Sequence, residues 1–200
     1  MLAIRKFIVM NLLYEHINSR INISPDEFEA IFQEFEELTF LKNDHIIRPN
    51  QTVDHKFFVL RGCLRSYFID LMGIEHTVQF AIEDWWIGDY PAYFNGKKST
   101  LNVECLEDCT LLRVKKESWE RLYKEIPKLE TYARIQLERG LASTHQKNID
   151  RHTMSTQELY EQFVASFPQL EKRIKNYHIA SYLGITPESL SRIRKRILTA

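Results

Sequence analysis

Net charge is the first thing this sequence lacks. Its 27 Lys and Arg are balanced by 27 Asp and Glu over 200 residues. A balanced chain is not one that coats nucleic acid indiscriminately, so any nucleic-acid reading must rest on local charge. Cysteine is scarce as well. Cys63, Cys105 and Cys109 make an odd count with no disulfide framework, which suits a reducing cytoplasm. Cys105 and Cys109 stand four apart, but no Cys or His pair lies near them in sequence to complete a zinc or iron–sulfur site. They read as structural thiols. No apolar run is long enough to cross a membrane. The N-terminal run MLAIRKFIVMNLLYEHI is interrupted by Asn11 and Glu15 and has no small-residue cleavage pattern, so it reads as an amphipathic helix rather than a signal peptide. Catalytic signatures are missing too: no Gly-rich phosphate loop, no G-x-S-x-G elbow and no H-x-H pair. His45, His55 and His76 are isolated, and no metal ligands, catalytic residues or cofactor are expected.

What is present concentrates at the C-terminal end. Asn176 to Lys195, NYHIASYLGITPESLSRIRK, reads as two short helices around a tight turn. Gly184 suits a helix-ending residue of positive φ. Thr186 is an N-cap and Pro187 takes the first helical position, where its missing N–H costs nothing. Ala180 is small where the helices cross. Ile179, Leu183, Ile185, Leu190 and Ile193 fall inward, and Glu188, Ser189, Ser191, Arg192 and Lys195 outward. This is the pattern of a DNA-reading helix-turn-helix. From Glu171 to Ala200 seven Lys and Arg stand against Glu171 and Glu188, so this segment carries 7 − 2 = +5 of local charge.

Upstream, Ser24-Pro25-Asp26-Glu27 opens a helix with a capping box, and Phe28, Ile31, Phe32 and Phe35 follow at helical spacing. From Thr39 to Val114 short β-branched and aromatic runs alternate with turns, as in an antiparallel sandwich or barrel. Trp85 to Thr100 is the one long stretch that breaks this alternation, and irregular insertions of that kind commonly bind ligands. Lys116 to Tyr123 reads as a short helix, and Pro127 opens a long one extending to about Ile149. On it Ile135, Ala142 and Ile149 repeat every seven, with Leu137, Leu141 and Thr144 alongside. Ser155-Thr156-Gln157-Glu158 is a second capping box, ahead of a helix that Phe167-Pro168 ends.

This order resembles the CRP/FNR family of bacterial transcription regulators over nearly the whole chain. The likeness is strongest in IASYLGITPESLSRIRK and in the succession FFVLRGCLRSYF, HTVQF, WIGDY, TLLRV. It implies an α+β chain: a cyclic-nucleotide-binding-like antiparallel β-roll with flanking helices in 1–126, a dimerisation helix in 127–150 and an all-α helix-turn-helix domain in 151–200. It also implies a cytoplasmic homodimer on near-palindromic double-stranded DNA, with RNA polymerase left open as a further partner and no membrane. The DNA-binding set is then Tyr177, His178, Thr186, Pro187, Glu188, Ser189, Ser191, Arg192 and Lys195. Glu188 and Arg192 match the family's base-reading pair, which suits the chemistry of Glu accepting from cytosine N4 and Arg donating to guanine. Pro187 stands where relatives have a further Arg. The sequence ends at Ala200, so no β-hairpin wing is expected after the recognition helix.

The ligand site departs from the family pattern. Gly88-Asp89-Tyr90 stands where cyclic-nucleotide binders carry Gly-Glu-Leu, and Ser99-Thr100 where they carry Arg-Ser. With Thr144 these make the expected pocket: Gly88, Asp89, Tyr90, Ser99, Thr100 and Thr144. Losing the arginine removes a charge-assisted phosphate contact worth about 1.5–3 kcal/mol, so cyclic AMP is not the expected effector and the effector is left unnamed. The cysteine set of the oxygen-sensing branch is absent. Two other readings stay open: a small-molecule-binding β-roll without a DNA-reading role, and a cupin-like enzyme.

Overall fold

A computed structural model describes residues 2–198. Helix α1 (Leu2–Asn18) and helix α2 (Pro25–Phe32) precede the roll. Ser24 caps α2 through the expected reciprocal box with Glu27. The helical spacing does not reach Phe35, because α2 ends at Phe32 and Phe35 opens strand β1 (Phe35–Phe40). A six-residue antiparallel ladder with β8 (Cys109–Lys115) pulls this segment into the sheet.

Strands β2 (His45–Ile47), β3 (His55–Arg61), β4 (Leu64–Ile69), β5 (Glu75–Ala81), β6 (Trp86–Ile87) and β7 (Asn102–Cys105) complete two four-stranded antiparallel sheets, ordered β1-β8-β3-β6 and β2-β7-β4-β5. Phe57, Val59, Leu64, Val103 and Leu111 fill the space between them. Full burial of such side chains stabilises by roughly 1.5–3 kcal/mol each. Gly62 makes the β3–β4 turn at φ 113°, and a Cβ there would lie 2.5 Å from Cys109 Sγ, so only glycine fits.

The interrupting segment is more regular than the sequence suggests, since it contains helix α3 (Tyr90–Asn95). Helix α4 (Lys116–Glu125) leads into the long helix α5 (Lys128–Thr153), which runs four residues past Ile149. At 1.5 Å per residue its 26 residues span roughly 39 Å. A second core packs Leu13 and Ile17 of α1, Phe28 and Ile31 of α2, and Trp119 and Leu122 of α4 with Leu129 and Tyr132 of α5 on the outer face of the first sheet. The indole of Trp86 donates to Tyr132 Oη at 2.7 Å, tying α5 to the roll.

Helices α6 (Thr156–Ser166), α7 (Pro168–Arg173), α8 (Asn176–Leu183) and α9 (Pro187–Leu198) follow. Ser155 caps α6 through the expected box with Glu158. Their core, with Leu159, Phe163, Leu170, Ile179, Leu183, Leu190 and Ile193, also takes in Phe80 and Cys63 of the roll. No described helix is long and apolar enough to cross a membrane.

Candidate nucleic-acid interface

Gly184 closes α8 in the left-handed region at φ 73° and ψ 30°, and Ala180 beneath it is fully buried, so α9 can cross close over α8. Thr186 caps α9, its Oγ1 accepting from Ser189 N–H at 3.2 Å. Leu190 and Ile193 point into the core. That rotation leaves Pro187, Glu188, Ser191, Arg192 and Lys195 exposed and Ser189 half-buried. Arg192 Nη2 donates to Ser189 Oγ at 3.3 Å, and Thr186 Oγ1 bonds the same hydroxyl at 3.1 Å. The Glu188 carboxyl is held below its ordinary range by its own backbone N–H at the helix start, by Thr186 and by Arg192. One turn of exposed helix therefore offers an acceptor, a fork of donors and two hydroxyls.

Other residues of the expected set are placed differently. Tyr177 is 47% exposed, its ring against His178 at a centroid distance of 4.0 Å. His178 itself is buried, on the side of α8 that faces Arg65 of the roll, and so does not share the exposed face. Burial, Arg65 and Lys175 push its imidazole down to about 3. The basic segment is also partly spent within the fold. Arg173 pairs with Glu83 at 2.7 Å and with Glu107 of the roll, and Arg194 with Glu171 at 2.8 Å.

The expected ligand pocket divides in the same way. Asp89 is fully buried and caps α3 through Ala92 N–H at 2.9 Å. Its other oxygen accepts from Ser99 Oγ at 2.7 Å and Thr100 N–H at 3.3 Å. Asp89, Ser99 and Thr100 thus meet, with Gly88 buried beside them and Tyr90 stacked on Phe94. They form a closed hydrogen-bonded knot rather than an open ligand cradle. Thr144 lies apart, exposed on α5 with its hydroxyl on Gly140 O. The α3 start was legible after all: Asp89 cap, Pro91 in the first turn and Gly96 at the C-terminus are ordinary helix punctuation.

What sequence reasoning missed is the seating of α8 on β5. Thr77 N–H donates to Ser181 Oγ at 2.9 Å, and the same hydroxyl donates to Glu75 O at 2.8 Å. These partners lie about a hundred residues apart, and a lone serine inside a helix carries no signal for them.

The cyclic nucleotide-binding domain family matches residues 37–125. No curated protein matches the chain in sequence. Among solved structures, the CLP regulator of Xanthomonas campestris, described as c-di-GMP-responsive, superposes with a TM-score of 0.72 at 12% identity, covering 88% of this chain and 92% of that one. FixK2 of Bradyrhizobium japonicum gives 0.73 at 18% identity, covering 82% and 85%. A Eubacterium rectale protein assigned to the CRP/FNR family of transcriptional regulators gives 0.66 at 14% identity, covering 89% and 85%. Beyond the roll, then, the long helix and the helices after it follow the CRP/FNR fold.

Proposed function

We propose that the chain is a sequence-specific DNA-binding transcription regulator of the CRP/FNR type, acting in the cytoplasm as a homodimer and not responding to cyclic AMP. The observation that carries this reading is the outward turn of α9, where Glu188 and Arg192 stand one turn apart on an exposed face. Arg donates two bonds to guanine O6 and N7, and Glu accepts from cytosine N4. Thr186 and Ser189 at the helix start carry hydroxyls of the kind that contact phosphate. The homodimer reading rests on α5. Its Leu137 and Leu141 are 51% and 59% exposed and border an apolar notch of about 450 Å³ with Phe94 and Tyr123. A second copy laid along this face would bury it and present two α9 helices, roughly 34 Å apart, to successive major grooves.

The test is selection from a random double-stranded library with the purified full chain. A near-palindromic site should emerge. On it Arg192→Ala and Glu188→Ala should each cost on the order of 1–3 kcal/mol at one base pair, whereas Lys195→Ala should weaken all sequences alike and flatten the salt dependence. Equal loss on cognate and random DNA for Arg192→Ala would mean that this side chain meets only backbone.

A further inference from the structure

Between α5 and the helices after it lies a notch of about 250 Å³, a little below the roughly 300–1,000 Å³ of pockets for drug-sized ligands. One wall is aromatic: Phe163 lies 5.9 Å from Phe167 and 5.7 Å from Tyr182, centroid to centroid. Lys147 and Arg151 of α5 supply the polar side. Lys147 Nζ sits 3.4 Å above the Tyr182 ring and donates to Val78 O at 3.0 Å. Arg151 Nη2 donates to Tyr182 O at 2.8 Å. Among the described residues neither cation pairs with a carboxylate. The one acidic side chain on the wall, the buried Asp150, accepts from Gln146 Nε2 at 2.8 Å. The lining therefore carries 2 − 1 = +1 when Lys147 is protonated.

A half-enclosed ammonium with only a carbonyl and a ring for company is poorly compensated for its lost hydration. Burial and Arg151 accordingly lower Lys147 to about 7. A single negative charge placed beside Lys147 and Arg151 would supply the missing counter-ion, and a flat apolar body would cover Phe163 and Phe167. We propose that this notch is a binding site for a small organic monoanion with an aromatic body, of arylcarboxylate chemistry. It is separate from the Asp89 knot in the roll. At 100° per residue, Ser143, Lys147 and Asp150 lie roughly 180–240° around α5 from Leu141, so an occupant leaves the exposed apolar stripe of that helix uncovered. Because the walls come from α5 on one side and from α6 and α8 on the other, the occupant would bridge the long helix to the C-terminal helices.

Calorimetric titration of the full chain, without DNA, tests binding independently of any DNA-reading role. The probes are sodium benzoate, its neutral isostere benzamide, and inorganic phosphate. Saturable benzoate binding at least about tenfold tighter than either of the others is expected. Lys147→Met, which keeps the apolar stem, and Arg151→Gln should each weaken benzoate about tenfold. Unchanged far-ultraviolet circular dichroism of the variants serves as the folding control. Benzamide binding as tightly as benzoate would leave only an apolar crevice, and phosphate matching benzoate would remove the aromatic requirement. No saturable heat with benzoate up to about 10 mM, or full affinity retained in both variants, would overturn the proposal outright.

Discussion

Replacing Asp89 separates the two roles that its position in the roll allows. As a ligand acceptor facing an open cradle, it would be dispensable for folding. In the structure its carboxylate is instead saturated by Ala92 N–H, Ser99 Oγ and Thr100 N–H. Asp89→Ala removes a helix cap, worth about 1 kcal/mol. It also leaves Thr100 N–H without its acceptor, whereas Ser99 Oγ keeps Leu101 O at 3.0 Å as an alternative. With about 1 kcal/mol more for the lost charge-assisted bonds, less the relief from no longer burying a carboxylate, the net cost comes to about 2 kcal/mol. At a urea slope of about 2 kcal/mol/M the midpoint falls by about 1 M. Asp89→Asn should lose less than Asp89→Ala, since its carbonyl still caps α3 and its amide meets a hydroxyl that can turn, although Thr100 N–H then faces a donor. Ser99→Ala combined with Asp89→Ala should cost about 1 kcal/mol less than the sum of the two, because both remove the same bond. Urea denaturation followed by circular dichroism gives all four midpoints. A midpoint for Asp89→Ala within about 0.2 M of wild type would refute the closed knot and return this carboxylate to the role of a ligand acceptor.

Cyclic AMP should give no saturable heat in calorimetry at about 1 mM, because Ser99 supplies no cation for the phosphate and Asp89 is already engaged; a dissociation constant in the low micromolar range would sink that expectation. Light scattering at micromolar concentration should give a mass near twice 23.9 kDa, and Leu137→Asp with Leu141→Asp should halve it; an unchanged mass for the double variant would exclude this face of α5 as the interface. His178 has a folded pKa of about 3 against an ordinary 6.5, so the unfolded chain binds its proton first. The stability tied to its neutral form is present above about 6.5 and is lost as pH falls toward 3, by roughly 2–3 kcal/mol at pH 4.5. His178→Leu should therefore narrow the difference between urea midpoints at pH 7.5 and 4.5, and an undiminished difference would assign that loss to other groups.

Punctuation governed what could be read from the residues alone. Ser24 with Glu27, Ser155 with Glu158, Thr186 with Pro187, and Gly184 each act within four residues, and each marks the helix end it was expected to mark. Phe35 shows the opposite case. Its spacing from Phe28, Ile31 and Phe32 is helical, yet a ladder to β8, more than seventy residues away, decides its state. The outward set of α9 was legible because helical periodicity fixes a face. His178 was not, because nothing local says that α8 lies against Arg65. Arg173 and Arg194 counted toward the +5 of local charge in the linear sequence, but carboxylates brought in by the fold claim both.

The seating of α8 also answers a problem that the roll has on its own. Strand β5 is the outer strand of its sheet, and an open edge exposes unpaired backbone groups. Ser181 covers Thr77 N–H and Glu75 O with one hydroxyl, and Lys147 takes Val78 O. Beside them Phe80 is buried against the rings of Phe163 and Tyr182. Lifting α8 from the roll would break the two hydrogen bonds of Ser181, of about 0.5–1.5 kcal/mol each, and re-expose the side of the Phe80 ring that faces Tyr182, a part of the roughly 1.5–3 kcal/mol of a full transfer. Water would restore part of the hydrogen bonding, so the seated arrangement is favoured by only a few kcal/mol. A bias of 1.4 kcal/mol changes a two-state ratio about tenfold. Differential binding at the notch beside Lys147 would be enough to move that balance, and the orientation of α9 would move with it, since Ala180, Leu183 and Leu190 hold the two helices together.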